Sequence, residues 1–114
     1  MMLDQAARAY QTAATFRSQR EQEADVFRRA IGALKAARIG NAILRVRALA
    51  DNRRLWMAVN DLMRDSSSDL SPDLRAAIIS VGIAVHREMD RDAPDFSFLI
   101  AINENFVAGL SDRL

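Results

Sequence analysis

Apolar residues recur along most of this chain every three or four positions, which is the spacing of one face of an α-helix. One such stripe runs from Ala24 to Leu34, and a broader one runs from Leu44 to Met63. A third stripe follows a polar loop, and a fourth leads to Gly109, where we expect the last helix to end. No stretch shows the alternation of a strand. The pattern predicts an all-α fold, a small bundle of four main helices.

The N-terminal residues 1–17 carry a weaker stripe. Its members are mostly alanine, and Tyr10 is its one large side chain, so it buries little area. We expect a weak N-terminal helical segment that is mobile until it docks on a larger surface. The following sequence, Ser18-Gln19-Arg20-Glu21, has the form of a capping box. It predicts that a separate, strong helix begins here, within a single domain that spans residues 1–114.

Two further helix boundaries have clear signals. Gly40 is a natural helix terminator, and Asn41 can cap the helix that follows. Ser71-Pro72-Asp73 combines a cap hydroxyl, a first-turn proline and an early acid, so it marks another helix start. The helix after it is apolar around much of its girth, because Ile79 and Ile83 widen its main face. We therefore expect this helix to be central in the bundle.

The composition excludes several classes of site. The chain has no cysteine and one histidine, His86, so disulfides, Cys-based zinc sites and thiol catalysis are excluded. One histidine makes neither a metal site nor a nucleophile–base pair. We expect a protein that is not an enzyme and needs no cofactor or metal. No apolar run reaches a membrane span of roughly 20 residues, and the first five residues do not resemble a signal peptide, so we expect a cytoplasmic protein.

The net charge of +1 hides an asymmetry along the chain. Residues 1–64 hold 12 basic and 6 acidic residues, net +6, whereas residues 65–114 hold 4 and 9, net −5. The two halves can attract partners of opposite charge, or they can pair with each other inside the bundle, which we favour. The arginines of the first half point in several directions around their helices. A solvated surface is therefore favoured over a direct nucleic-acid contact.

The segment Asn52-Arg53-Arg54-Leu55-Trp56 places the only tryptophan beside an asparagine and two arginines. Asn52 lies within an apolar stripe, where an unpaired amide would cost about 1 to 3 kcal/mol. We therefore expect Asn52 to have a fixed hydrogen-bond partner, and Asn103 on the last helix is the candidate. For Trp56 we favour core packing with the indole N–H bonded to a carbonyl, and the alternative is an aromatic anchor for another protein.

The same helix also presents a candidate contact surface. Arg53 projects off the main stripe near two apolar residues, Val46 and Met57, and this composition is enriched at the centres of protein interfaces. Together with the two aromatic residues discussed above, these side chains form a set of candidate partner-binding residues: Tyr10, Val46, Arg53, Trp56 and Met57.

Several segments, taken in order over nearly the whole chain, resemble the FlaF family of flagellar regulators from alphaproteobacteria. They are Ala9-Tyr10-Gln11, Arg20-Glu21-Gln22-Glu23 with Phe27, Asn52-Arg53-Arg54-Leu55-Trp56, Leu74-Arg75-Ala76-Ala77-Ile78-Ile79-Ser80-Val81, Ile102-Asn103 and Gly109-Leu110. The family usually has Pro-Arg-Glu before its first long helix. This chain has Ser18-Gln19-Arg20-Glu21 there, which changes the cap and leaves the predicted helix in place.

The resemblance implies a cytoplasmic protein that promotes flagellin synthesis and export. It would bind flagellin as a secretion chaperone and oppose FlbT, a translational repressor. Flagellin's terminal segments are amphipathic and disordered before assembly, so a groove in a helical bundle can fold such a segment on binding. The stripe around Tyr10 would cover that groove in the absence of a partner. The alternative is an RNA-associated regulator of the flagellin message that acts alone or through FlbT.

Overall fold

The computed structural model describes the backbone of residues 2–111 and the side chains of residues 4–11 and 21–109. This part of the chain forms four helices, and none of it is a strand. The predicted all-α class is confirmed. In chain order the helices are α1 (Met2–Arg38), α2 (Ala42–Arg64), α3 (Pro72–Met89) and α4 (Phe96–Ser111).

The N-terminal segment is not a separate element. Helix α1 is continuous for 37 residues, so no helix begins at Ser18, and the prediction of a break there was wrong. Alanine has the highest helix propensity, and residues 6–14 include five alanines with no glycine or proline to interrupt them. The helix therefore runs straight through the capping sequence. The side chains of Ser18 and its neighbours lie outside the described residues.

The turn between α1 and α2 is held by polar contacts of both helices. The side chain of Asn41 accepts a hydrogen bond from the backbone N–H of Leu44 at 3.0 Å, so Asn41 is the N-cap of α2 as predicted. Arg45 donates to the carbonyl oxygens of Ala37 and Arg38 at 3.3 and 3.4 Å. A cation at these carbonyls is favourable, because the last turn of a helix leaves them without intrahelical partners.

Gly40 is required in this turn for space. Its φ is not positive, so a left-handed conformation does not explain it. A Cβ atom at this position would lie 2.8 Å from the Cδ1 of Leu44 and 2.9 Å from the carbonyl oxygen of Ala36. The leucine side chain can move, but the backbone oxygen cannot move without disturbing the end of α1. The two helices can therefore turn this tightly only without a side chain at residue 40.

Capping side chains mark the starts of α3 and α4, whereas the end of α4 does not follow its sequence signal. Ser71 caps α3 through its hydroxyl, which accepts from the N–H of Leu74 at 3.2 Å, and Pro72 occupies the first turn. Asp95 accepts from the N–H of Phe98 at 3.1 Å at the start of α4. The prediction that α4 ends at Gly109 was wrong, since the helix continues to Ser111.

Helix α1 contacts α4 and α2, and α2 contacts α3, so the spatial order of the helices is α4–α1–α2–α3. Helices α3 and α4 meet only weakly, so the expectation that α3 is central was wrong. The wide apolar girth of α3 is not matched by neighbours on all sides, and Ile83 is 48% exposed. Apolar width shows that a helix can be covered on several faces, but it does not show that its own chain covers them.

The core contains two buried asparagines among apolar side chains. Asn103 donates through Nδ2 to the Oδ1 of Asn52 at 2.7 Å, which is the pairing that the sequence favoured. The indole N–H of Trp56 donates to the Oδ1 of Asn103 at 2.9 Å. The Nδ2 of Asn52 donates a weak hydrogen bond of 3.4 Å to the sulfur of Met89. These bonds connect α2 to α4 across the diagonal of the bundle, and α3 joins through Met89.

We expect Asn103→Ala to lower the free energy of unfolding by about 2 to 4 kcal/mol, because it leaves the Trp56 indole N–H and the Asn52 carbonyl buried without partners. Urea denaturation followed by circular dichroism would measure the change. Asn105→Ala is the matched control, since Asn105 is an exposed residue of the same helix. Equal stability of the two variants would show that the buried bonds contribute nothing.

A second stability prediction concerns two glycines. Gly32 lies within α1 with open space where a Cβ would be, so Gly32→Ala should stabilise the protein by about 0.5 to 1 kcal/mol through helix propensity. Gly40→Ala should instead destabilise it by about 1 kcal/mol, because the added methyl group meets the Ala36 carbonyl. Thermal unfolding of both variants tests the difference in sign. A stabilising Gly40→Ala would contradict the close approach described above.

Candidate functional site

An open apolar groove lies where α3 and α4 separate. Its volume is about 640 Å³, and all four helices and the α2–α3 loop contribute to its walls. The residues that line it include Val26 and Phe27 of α1, Leu55, Val59, Leu62 and Met63 of α2, Leu74 and Ile78 of α3, and Phe106 of α4. Most of these side chains belong to the stripes that the sequence assigned to helix packing. The groove is therefore core-type surface that the chain leaves uncovered.

An aromatic cluster supports the floor of this groove. The rings of Phe27 and Phe106 are stacked, with centroids 4.8 Å apart, and both line the groove. Trp56 lies beneath them with its ring edge-on to each, at 6.0 Å from Phe27 and 5.4 Å from Phe106. Because Asn103 holds the indole N–H of Trp56, the buried hydrogen bonds also fix the position of the two phenylalanines. The floor is thus preorganised and not a loose collection of apolar side chains.

The rim of the groove is acidic. The charged residues that line it are Glu23, Asp65 and Asp69, and no lysine or arginine lines it among the described residues. Hydrogen bonds from the backbone N–H and the hydroxyl of Ser67, with the nearby Arg75 guanidinium, hold the pKa of Asp65 below its ordinary value. This carboxylate therefore stays charged at neutral pH. An occupant with apolar residues flanked by basic ones would match both the floor and the rim.

The candidate partner-binding residues from the sequence do not form one site. Trp56 is 0% exposed and lies in the core, so in this fold it cannot touch a partner directly. Tyr10 is 71% exposed on the N-terminal half of α1. It lies 17 residues before Phe27, which is about 25 Å along a straight helix. Tyr10 therefore does not cover the groove of its own chain, contrary to the hypothesis drawn from its stripe.

The other three candidates lie together on the outer face of α2. Val46, Arg53 and Met57 recur at the spacing of one helix face, and Met57 is 54% exposed. The structure adds Ile43 and Ala50 to this face, and both are exposed. We call these five residues the outer stripe. The sequence analysis missed Ile43, although its distance of three residues from Val46 and seven from Ala50 is a helical spacing.

The outer stripe does not contribute to the core. On a helix that turns 100° per residue, its members lie about 60° to 140° around the axis of α2 from Trp56. Arg53 donates from Nη1 to the Oδ1 of Asp90 at 2.9 Å, which joins the stripe to the end of α3. The pair is solvent-exposed on both sides and contributes little stability by itself. The stripe thus remains as an apolar surface with an arginine in its middle.

The described residues contain no group of three or more His, Cys, Asp or Glu side chains placed to hold a metal ion. No helix in the part of the chain that the structure describes is long and apolar enough to cross a membrane.

Comparison with known proteins places the chain in a family. The family model described as "Flagellar protein FlaF" matches residues 6–110, which is nearly the whole chain. No curated protein and no solved structure matches the chain. The match includes the residues of the buried hydrogen bonds, the groove and the outer stripe. This chain belongs to the FlaF family of flagellar proteins.

Proposed function

We propose that this protein promotes flagellin synthesis and export by binding flagellin as a cytoplasmic secretion chaperone, without catalysing a reaction. Membership of the FlaF family supports a role in the flagellum. The open groove with its apolar floor carries the rest of the proposal, because an uncovered surface lined by core-type side chains is characteristic of a binding site for an amphipathic helix.

The occupant of the groove would be a terminal segment of flagellin. Such a segment is disordered before assembly and folds as it buries its apolar face, so it gains contacts that offset the entropy of ordering. Val26 and Ile78 on opposite walls would contact it from α1 and α3, above the aromatic floor. The same contact would keep the segment from aggregating before export. Modulation of flagellin translation, against or through FlbT, would then depend on whether the groove is occupied.

An RNA-associated role is less well supported by this geometry. The rim of the groove carries three acidic side chains, which repel phosphate, and the described basic residues are distributed over several faces. Some of these basic residues are engaged in ion pairs, as in Arg28 with Asp25 and Lys35 with Glu104. Any action on the flagellin message would therefore be indirect, through a protein partner.

We expect Leu62→Glu to weaken flagellin binding about tenfold or more, because it places a charge on the apolar wall of the groove. Leu62 is 58% exposed, so the folded state should survive the change. Isothermal titration calorimetry with flagellin and with its terminal deletions would measure the effect. Met57→Glu is the matched control, on the same helix and similarly exposed but outside the groove. Wild-type affinity for Leu62→Glu would rule out the groove as the flagellin site.

The salt dependence of binding separates the two kinds of partner. Flagellin held in an apolar groove should lose little affinity between 50 and 200 mM salt, whereas a nucleic-acid complex with several phosphate contacts would lose roughly a thousandfold or more. The measurement is fluorescence anisotropy with labelled flagellin and, in parallel, with labelled flagellin message. Tight, steeply salt-dependent binding of the message alone would replace the chaperone proposal with the RNA-associated one.

A further inference from the structure

The outer stripe of α2 is a second apolar surface, separate from the groove. Its large members, Ile43, Val46 and Met57, are all more than half exposed. They span about 21 Å, or four helical turns, which is the length of a short helix. Soluble helices normally carry a single apolar face, directed at the core. A second apolar face on the same helix indicates a contact with another molecule.

The stripe and the groove use different sides of α2. Leu62 lines the groove and lies about 160° around the helix axis from Val46 and about 140° from Met57, in the middle of the stripe. Leu55 lines the groove from the same side as Leu62. A molecule on the stripe would therefore leave the groove open. The two surfaces are independent in position and can be tested one at a time.

The charges beside the stripe are basic, in contrast to the rim of the groove. Three arginines, Arg47, Arg53 and Arg54, lie in or beside the stripe against two nearby acids, Asp51 and Asp90, which gives 3 − 2 = +1. Arg47 and Arg54 lie along one side of the stripe, and Arg53 lies within it. Two of these arginines are in exposed ion pairs, Arg54 with Asp51 and Arg53 with Asp90. Exposed pairs of this kind exchange readily with the carboxylates of a partner, because each contributes little.

We infer that the outer stripe is a docking surface for an acidic amphipathic helix of a second protein partner. The partner's apolar face would cover Ile43, Val46 and Met57. Its flanking carboxylates would meet Arg47 and Arg54, and one of them would replace Asp90 at Arg53. This arrangement goes beyond the proposed flagellin site and does not depend on it. With both surfaces occupied, the protein would hold two partners of opposite charge on opposite sides of one helix.

The local acids favour a protein partner over an anionic membrane. Asp90 is bonded to Arg53 at the edge of the stripe, and Asp92 follows it in the α3–α4 loop. A flat anionic surface would approach these carboxylates as closely as it approaches the arginines, which is repulsive. A helix is narrow enough to lie along the stripe and place its own carboxylates at the arginines only.

The test uses a synthetic helical peptide of about 18 residues, with leucines on one face flanked by glutamates, and a second peptide with lysines in place of the glutamates. Fluorescence anisotropy with the full chain measures both. We expect the glutamate peptide to bind at least tenfold more tightly than the lysine peptide, and Val46→Glu to weaken it about tenfold. Asp90→Asn should strengthen binding severalfold, because it frees Arg53 for the peptide.

Two controls locate the contact. Ile83→Glu, at an exposed apolar position of α3 outside the stripe, and Leu62→Glu in the groove should both leave peptide binding unchanged. Equal binding of the two peptides, or unchanged binding by Val46→Glu, would overturn the inference. So would binding to phosphatidylglycerol vesicles that is lost in Val46→Glu while the glutamate peptide does not bind. Flagellin titrations of the same variants report on the groove separately, so either proposal can fail alone.

Discussion

The fold depends on a pair of buried amides that must satisfy each other. Helices α2 and α4 lie diagonally across the bundle, and their backbones do not approach closely. Among the described residues, only Trp56, Asn52 and Asn103 carry hydrogen bonds between them, at 2.7 and 2.9 Å. Apolar stripes alone tolerate a slide of one turn with modest loss, whereas an unpaired buried amide costs about 1 to 3 kcal/mol. The amides therefore select one register of α4 against α2.

That register has a direct consequence for the surface. With α4 held against α1 and tied diagonally to α2, no further element in the described part of the chain fills the space between α3 and α4. Phe106 and Ile78, which a closed bundle would bury against each other, instead line the floor and a wall of the groove. The groove therefore exists because part of the wide apolar surface of α3 is not covered by another helix. The hydrophobic surface that the bundle does not use internally is what the proposed flagellin contact would use.

The features that the sequence predicted correctly are those set by local chemistry or by the cost of burial. The caps at Asn41 and Ser71 involve atoms three residues apart, so tertiary structure has little influence on them. The Asn52–Asn103 bond follows from the need of any buried amide for a partner. The prediction of a helix start at Ser18 was wrong because a run of alanines before it extends the helix. The prediction that α3 is central was wrong because the periodicity of a sequence shows which helix face is apolar but not which element covers that face.

The charge asymmetry of the chain is only partly explained by internal pairing. Lys35 with Glu104 and Arg53 with Asp90 do join the basic and acidic halves, but both pairs are exposed and contribute little stability. Their small contribution means that the arrangement of charges is free to serve recognition, where it affects orientation and the rejection of wrong partners more than affinity. The acids at the groove would repel the acidic helix proposed for the outer stripe, and the arginines at the outer stripe would repel a segment with basic flanks that fits the groove. Under the two proposals, each surface therefore excludes the ligand of the other.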